Sequence, residues 1–416
     1  VTAARTTLES KLSRTEFTLL VSMIMAVSAL AVDMMLPAFG EMRTEFGLAA
    51  DSNALAPVIT FFLIGIALGQ PIWGPLSDSV GRKPVLYAGL IIYIVAAIAA
   101  IFSPSLIALF IARFVGGLGA AAPRVISVGT IRDGYEGESM AKVLSYIMAV
   151  FLLVPIVAPS IGAGLLTIGS WKTIFLAIAV FAVAVGAWAT RLPETLSPDR
   201  RLPLSFSKLA GAAGIVLRSR FVMGLTLAQT ALFGFFASYL ASSQIIIDDV
   251  FGLDSWFPII FGLSAAVLGV GMLVNTRLLG IAPLRTILRG VFATYLVAAL
   301  AILILTIATS GTPPIAVFAV PFIPILFAHA LLIPNLNSAA LIPMGALAGT
   351  AAAVIGTIST LGGALVGALI DVSYNGTVLP LSIGLAVGAS IAFALFMWSD
   401  RVWETAVTHT PEVQTA

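Results

Sequence analysis

The chain has 416 residues, of which 60% are hydrophobic and only 10% charged. A soluble domain carries roughly 25% charged residues, so this composition cannot clothe a water-exposed surface and the apolar excess must face lipid. The net charge of +2 offers no basic field for nucleic acid, and the absence of cysteine excludes disulfides, thiolate metal sites and cysteine nucleophiles.

A bilayer core about 30 Å thick is crossed by ~20 apolar residues in a helix. Windows of that size predict an all-α integral membrane protein with twelve transmembrane helices. In chain order they lie near 16–38, 53–76, 84–103, 105–130, 139–167, 171–191, 219–247, 255–279, 285–308, 314–335, 339–371 and 376–399. Within the first, Ala29-Leu30-Ala31 imitates a signal-peptidase site. The apolar run continues through Asp33 to Phe39, so this span is expected to remain a helix of the mature protein.

Most of the 21 lysines and arginines fall on one side of these spans. That side holds Arg5, Lys11 and Arg14, the pairs Arg82 with Lys83 and Arg132 with Lys142, the stretch from Arg191 to Arg220, and Arg277, Arg285, Arg289 and Arg401. The opposite side has Arg43 and Lys172 and is otherwise acidic, with Glu41, Glu45 and Asp51 in one loop and Asp248, Asp249 and Asp254 in another. The positive-inside rule places both termini in the cytoplasm. Arg191 to Arg220 is also the longest polar stretch and contains Pro193, Pro198 and Pro203. It divides the chain into an N-terminal six-helix half (1–195), a cytoplasmic linker (196–218) and a C-terminal six-helix half (219–416). Gly81-Arg82-Lys83-Pro84 after the second span is faintly echoed by Gly280 to Arg285 after the eighth, an offset of one half. Paired six-helix halves are a transporter architecture with the substrate site between them.

Six stretches carry a family resemblance. In the first span, Asp33-Met34-Met35-Leu36-Pro37-Ala38 resembles the Asp-Met-Tyr-Leu-Pro-Ala of the bicyclomycin and chloramphenicol resistance (Bcr/CflA) branch of the major facilitator superfamily, with Met35 where Tyr is common. After the second span, Gly74, Leu76, Ser77, Asp78, Gly81, Arg82 and Lys83 match the superfamily signature Gly-x-Leu-Ala/Ser-Asp-Arg-x-Gly-Arg-Arg/Lys, with Ser79 in place of the basic residue. This stretch reads as a loop with a tight glycine turn, and the resemblance implies that it latches the halves together in the outward-open state. Arg113 to Ala121 is similar to the fourth-helix motif Arg-x-x-Gln-Gly-x-Gly-Ala-Ala, with Gly116 where Gln is usual. Val154 to Ala163 resembles the fifth-helix antiporter motif Gly-x-x-x-Gly-Pro-x-x-Gly-Gly, with Ala158, Pro159 and Gly162 at its centre. Small residues there permit close helix packing and Pro159 bends the helix. Plain packing explains that motif as well as a sliding contact does. Arg132-Asp133 and Gly349 to Gly356 also fit the Bcr/CflA branch, and the resemblance implies the twelve-helix major facilitator fold.

An ionised group at mid-membrane costs ~2.5–3.5 kcal/mol on insertion scales, so each one needs a partner or a wet cavity. Asp33 lies ~9 Å from the outer end of its span and Arg113 ~12 Å, at 1.5 Å per residue. One reading is a proton-coupling pair, in which Asp33 loads and releases a proton and Arg113 biases or competes for it. The other is a permanent salt bridge that fixes packing. Arg124 either lines a vestibule or snorkels to the headgroups. Asp371, at the outer end of the eleventh span, is expected to be solvated, and His329 to be a helix-packing hydrogen bonder. His329 and His409 are too far apart for a metal site. Met34, Gln229, Phe233, Phe236 and Tyr239 are candidate substrate-cavity liners, the last four falling on one helical face.

There is no Walker A sequence, so ATP is not the energy source within this chain, and no cofactor or metal is expected. Neither is an enzyme, which needs a cluster of nucleophiles or acids inside the spans, nor a channel. The resemblance implies a monomeric, proton-coupled antiporter of a bacterial inner membrane, exporting small lipophilic, drug-like molecules by alternating access. Its partners are that substrate, protons and the bilayer, with no nucleic acid. A dedicated exporter of one metabolite or siderophore is the alternative.

Overall fold

The computed structural model describes residues 12–201, 203–204 and 206–408, so Arg5, Lys11 and His409 lie outside the described residues. Among the described residues, twelve helices are long and apolar enough to cross a membrane. Serines start several of them. Ser13, Ser105 and Ser219 each accept, through a side-chain oxygen, a first-turn N–H that the helix itself cannot satisfy.

In the first half these serines and the flanking turns set off α1 (Arg14–Asp33), a 3₁₀ turn at Leu36–Ala38, α2 (Phe39–Glu45), α3 (Pro57–Val80), α4 (Arg82–Ile101), α5 (Leu106–Gly134), α6 (Gly137–Leu166) and α7 (Trp171–Trp188). A short helix, α8 (Phe206–Arg218), follows in the polar linker. The second half contains α9 (Arg220–Ile245), α10 (Phe257–Leu278), α11 (Leu284–Ala308), α12 (Ile315–Leu341), α13 (Ala348–Val372), α14 (Leu379–Asp400) and α15 (Trp403–Thr408). By contact, one compact unit runs up to Leu204 and includes Pro258–Gly262; the other comprises Ser205–Phe257 and the chain from Leu263 onward.

Because every span is apolar all round, size rather than polarity decides which face turns inward. On α4, Ile91, Val95 and Ile98 form an exposed stripe at i, i+4 and i+7, while Gly89, Tyr93 and Ala96 are buried. The inward glycines bring backbones into contact. A Cβ on Gly117 of α5 would lie 2.1 Å from the Phe62 carbonyl of α3, and one on Gly119 would lie 2.6 Å from the Tyr93 amide of α4. The fourth-helix motif therefore seats α5 between α3 and α4.

Three expectations need correction. The first span is not one helix over 16–38: α1 stops at Asp33, because Pro37 has no N–H to give to the Asp33 carbonyl. The stretch around Gly74 is not a loop, since α3 continues to Val80 and the turn is Gly81 alone. The tenth and eleventh spans do not divide at 335/339. α12 runs to Leu341, then a 3₁₀ segment at Ile342–Leu347 breaks the chain where Gly345 adopts φ 45°, a conformation open chiefly to glycine.

Candidate functional site

The last turn of α1 carries Asp33, which is 5% exposed and makes no hydrogen bond or ion pair with any described residue. Arg113, on α5, is equally buried, yet it does not reach the carboxylate. Its guanidinium donates to the Ala31 carbonyl at 2.9 Å and the Val58 carbonyl at 3.2 Å, and it lies over the Phe62 ring at 4.1 Å. Arg113 thus pins the terminal turn of α1 two residues before Asp33. The charge is held by carbonyl dipoles and a ring face, a desolvated cation–π contact worth ~2 kcal/mol. The fixed salt bridge between Asp33 and Arg113 is absent from this structure.

The signature around Asp78 builds a second cluster at the α3–α4 junction. Gly81 has φ 114°, and a Cβ there would also lie 2.6 Å from Glu194. That turn projects Arg82, 4% exposed, between three acceptors: Asp78 at 2.6 Å, Ser77 at 2.7 Å and Asp133 of α5 at 2.9 Å. Thr195 donates to the same Asp133 carboxylate at 3.1 Å. Glu194 accepts the backbone amides of Arg82 and Lys83 at 2.9 and 3.0 Å, satisfying the open amides at the start of α4. The Lys83 ammonium donates to the Thr190 carbonyl. Gly74 lies inside α3, with its carbonyl accepting from Ser77. The second half repeats the principle: Arg285, which opens the corresponding helix α11, binds Asp400 and Glu404 at and beyond the end of the sixth helix of its half.

On α6, Ala158 and Pro159 are buried, and Gly162 meets the break after α1. A Cβ on Gly162 would lie 2.0 Å from the carbonyl of Met34, itself 6% exposed. The motif thus lets one backbone press on the turn that presents Asp33. Gly162→Ala is expected to cost about 1–3 kcal/mol by overpacking and to lower the unfolding temperature in lipid discs. An unchanged temperature would show that the seam can shift freely.

In the second half, Gln229, Phe233, Phe236 and Tyr239 do share a face of α9, and that face packs within its own bundle. Phe236 stacks on His329 of α12 at 4.8 Å, Tyr239 meets Phe322 at 5.5 Å, and Phe233 lies against Gly363 of α13. The Gln229 Oε1 is buried without a hydrogen-bond partner among the described residues. His329 differs from expectation, because its Nδ1 makes no hydrogen bond and the ring packs by stacking. Arg124 is exposed on α5. Asp371 is a correction. It is not solvated but 6% exposed, accepting hydrogen bonds from Ser238 and Ser242 of α9. Sequence reasoning missed Asp133 and Glu194 as members of the Arg82 cluster, because both lie far from it in the chain. Their nearest signal was the polar punctuation at the ends of the fourth and sixth spans.

Residues 21–367 match the family model described as Major Facilitator Superfamily. The chain is 27% identical to a bicyclomycin resistance protein homolog of Haemophilus influenzae, over 93% of this chain and 97% of that one. It is 27% identical to multidrug resistance protein D of Escherichia coli K12, over 84% and 87% respectively. Its fold matches that of the human organic anion transporter MFSD10 with a TM-score of 0.71 at 18% identity, covering 93% of this chain and all of that one.

Proposed function

Because the chain belongs to the Major Facilitator Superfamily, a family of transporters, we propose that it is a proton-coupled antiporter exporting small, drug-like molecules. It works by alternating access as a monomer in a bacterial inner membrane, with both termini in the cytoplasm. The observation that carries this reading is Asp33, a buried carboxylate with no partner among the described residues, placed at a helix break against Gly162. A carboxylate that fixed packing would have a cation or donors on it, whereas one that exchanges a proton needs to be reachable in turn from each side. Arg113 positions its helix turn. Similarity to relatives named for bicyclomycin and multidrug resistance supports a drug-like substrate.

The test is uptake of bicyclomycin and of a lipophilic dye into proteoliposomes under an imposed pH gradient. Saturable uptake that an uncoupler collapses supports the proposal; uptake indifferent to the uncoupler refutes it.

The Arg82 cluster is the conformational latch in this reading, formed by Gly74, Asp78, Gly81, Arg82 and Lys83. Asp78 keeps 36% of its side chain accessible, so its ion pair is worth ~1 kcal/mol at most. Asp78→Asn is expected to slow turnover a few-fold with substrate affinity retained, since the cluster biases conformations and touches no substrate. Affinity falling in step with turnover, at normal expression, would move Asp78 to a binding role.

A further inference from the structure

Asp371 takes no part in the proton path just described, and it belongs to the second half. It stands next to the last residue of α13, where its neighbour Val372 is 84% exposed, yet its own side chain turns inward. Ser238 and Ser242, one turn apart on α9, both donate to its Oδ1, at 2.6 and 2.7 Å. Such lengths sit at the short end for hydroxyl donors, where charge-assisted bonds fall. Three threonines elsewhere on these helices bond back to their own backbone: Thr226 to Val222, Thr230 to Thr226, Thr357 to Ala353. The two serines instead reach across to the other helix.

The seam that leads to this carboxylate is closed backbone to backbone. A Cβ on Gly367 would lie 2.9 Å from the Ala237 side chain and 3.0 Å from the Ser238 amide, and one on Gly234 would lie 2.8 Å from the Val366 Cβ. Apolar packing there is fixed by shape, whereas the carboxylate–hydroxyl bonds between α9 and α13 at this end respond to charge.

We propose that Asp371 is a second proton-binding site of this protein, a carboxylate clasp between α9 and α13 whose hold changes when it takes up a proton. Proton addition to the carboxylate gives the neutral acid and requires no other reactant. From Ser238 and Ser242 the ionised form accepts charge-assisted bonds and the acid ordinary ones, so proton occupancy sets how firmly these serines of α9 grip α13. Other ionisable groups lie on the elements packed against α13. Tyr239 adjoins Ser238. Asp248 and Asp249 follow α9 at the same end, Asp249 accepting from the Tyr374 hydroxyl. His329 lies midway along α12 in its stack with Phe236, and Arg218, Arg220 and Asp400 lie at the far ends of α8, α9 and α14.

Proton binding by Asp371 is independent of the antiport reading; its place in a transport cycle rests on that reading. The test is an infrared difference titration of the full chain in lipid, from alkaline to acid pH, following the carboxylic C=O stretch of buried acids. Asp371→Asn is expected to lose one component, while Ser238→Ala with Ser242→Ala shifts its frequency without removing it. Asp33→Asn serves as the reference and should lose a different component. If Asp371→Asn, or the serine double variant where the first fails to fold, leaves the spectrum as in the wild type while Asp33→Asn does not, this inference alone falls. If neither aspartate contributes a component, the proton reading of the whole protein falls with it.

Discussion

Asp33→Asn is expected to abolish substrate movement against a gradient while expression, membrane insertion and thermal stability stay near those of the wild type. Asparagine matches the carboxylate in size and cannot carry a proton across. The site has no ion-pair or hydrogen-bond partner among the described residues, so the substitution strands nothing, and the large penalty for breaking a buried pair does not arise. Arg113 keeps its hold on the Ala31 and Val58 carbonyls, so the turn that presents position 33 stays in place. The measurement is uphill transport in proteoliposomes, read beside unfolding temperature. Normal uphill transport by Asp33→Asn would remove Asp33 from the coupling mechanism, whatever its burial.

Arg82→Ala should give the largest loss of stability among the latch residues, about 3–5 kcal/mol, the range for removing one member of a buried charge pair. Arg82 is the shared donor for Asp78, Ser77 and Asp133, and the Asp133 side chain is only 4% exposed. Its removal leaves a buried carboxylate with one hydroxyl bond among the described residues, from Thr195. Lysine is no replacement, because a single ammonium cannot reproduce the fork that meets acceptors on two helices. Arg82→Lys is therefore expected to recover only part of the loss. Thermal unfolding in lipid discs separates the cases. An Arg82→Ala protein melting with the wild type would mean that the cluster is not a structural tie, and the contrast with the mild Asp78→Asn effect would disappear.

The twelve spans were legible because apolar windows of membrane length are a strong signal, and their order and type needed nothing else. Helix ends were less so. Asp78 and Ser79 look like loop residues by composition, but a helix that leaves the bilayer keeps its hydrogen bonds in water, and α3 simply continues. Asp33 was legible as an acidic group in a span, and Pro37 four residues later already carried the message that its helix ends there. Asp371 was misread, since an acid at the end of an apolar run is ordinarily wet. What buries it is a pair of serines more than a hundred residues earlier, and no local pattern announces that pairing. His329 failed for the opposite reason: a histidine inside a span was assigned a hydrogen bond, and aromatic neighbours from two other helices took that place.

The tie between Glu194 and the start of α4 spans 112 residues of sequence, whereas that between Arg82 and Asp133 spans 51. A chain made at about 5–20 residues per second therefore carries an unfinished α4 terminus for roughly 6–22 s after Arg82 is synthesised. The order of closure is imposed by the ribosome: the side chain finds its carboxylate first, and the backbone amides wait for Glu194. The Glu194 tie at the start of α4 thus closes just before the linker emerges. The second half repeats the delay through Glu404, whose tie to Arg285 spans 119 residues of sequence.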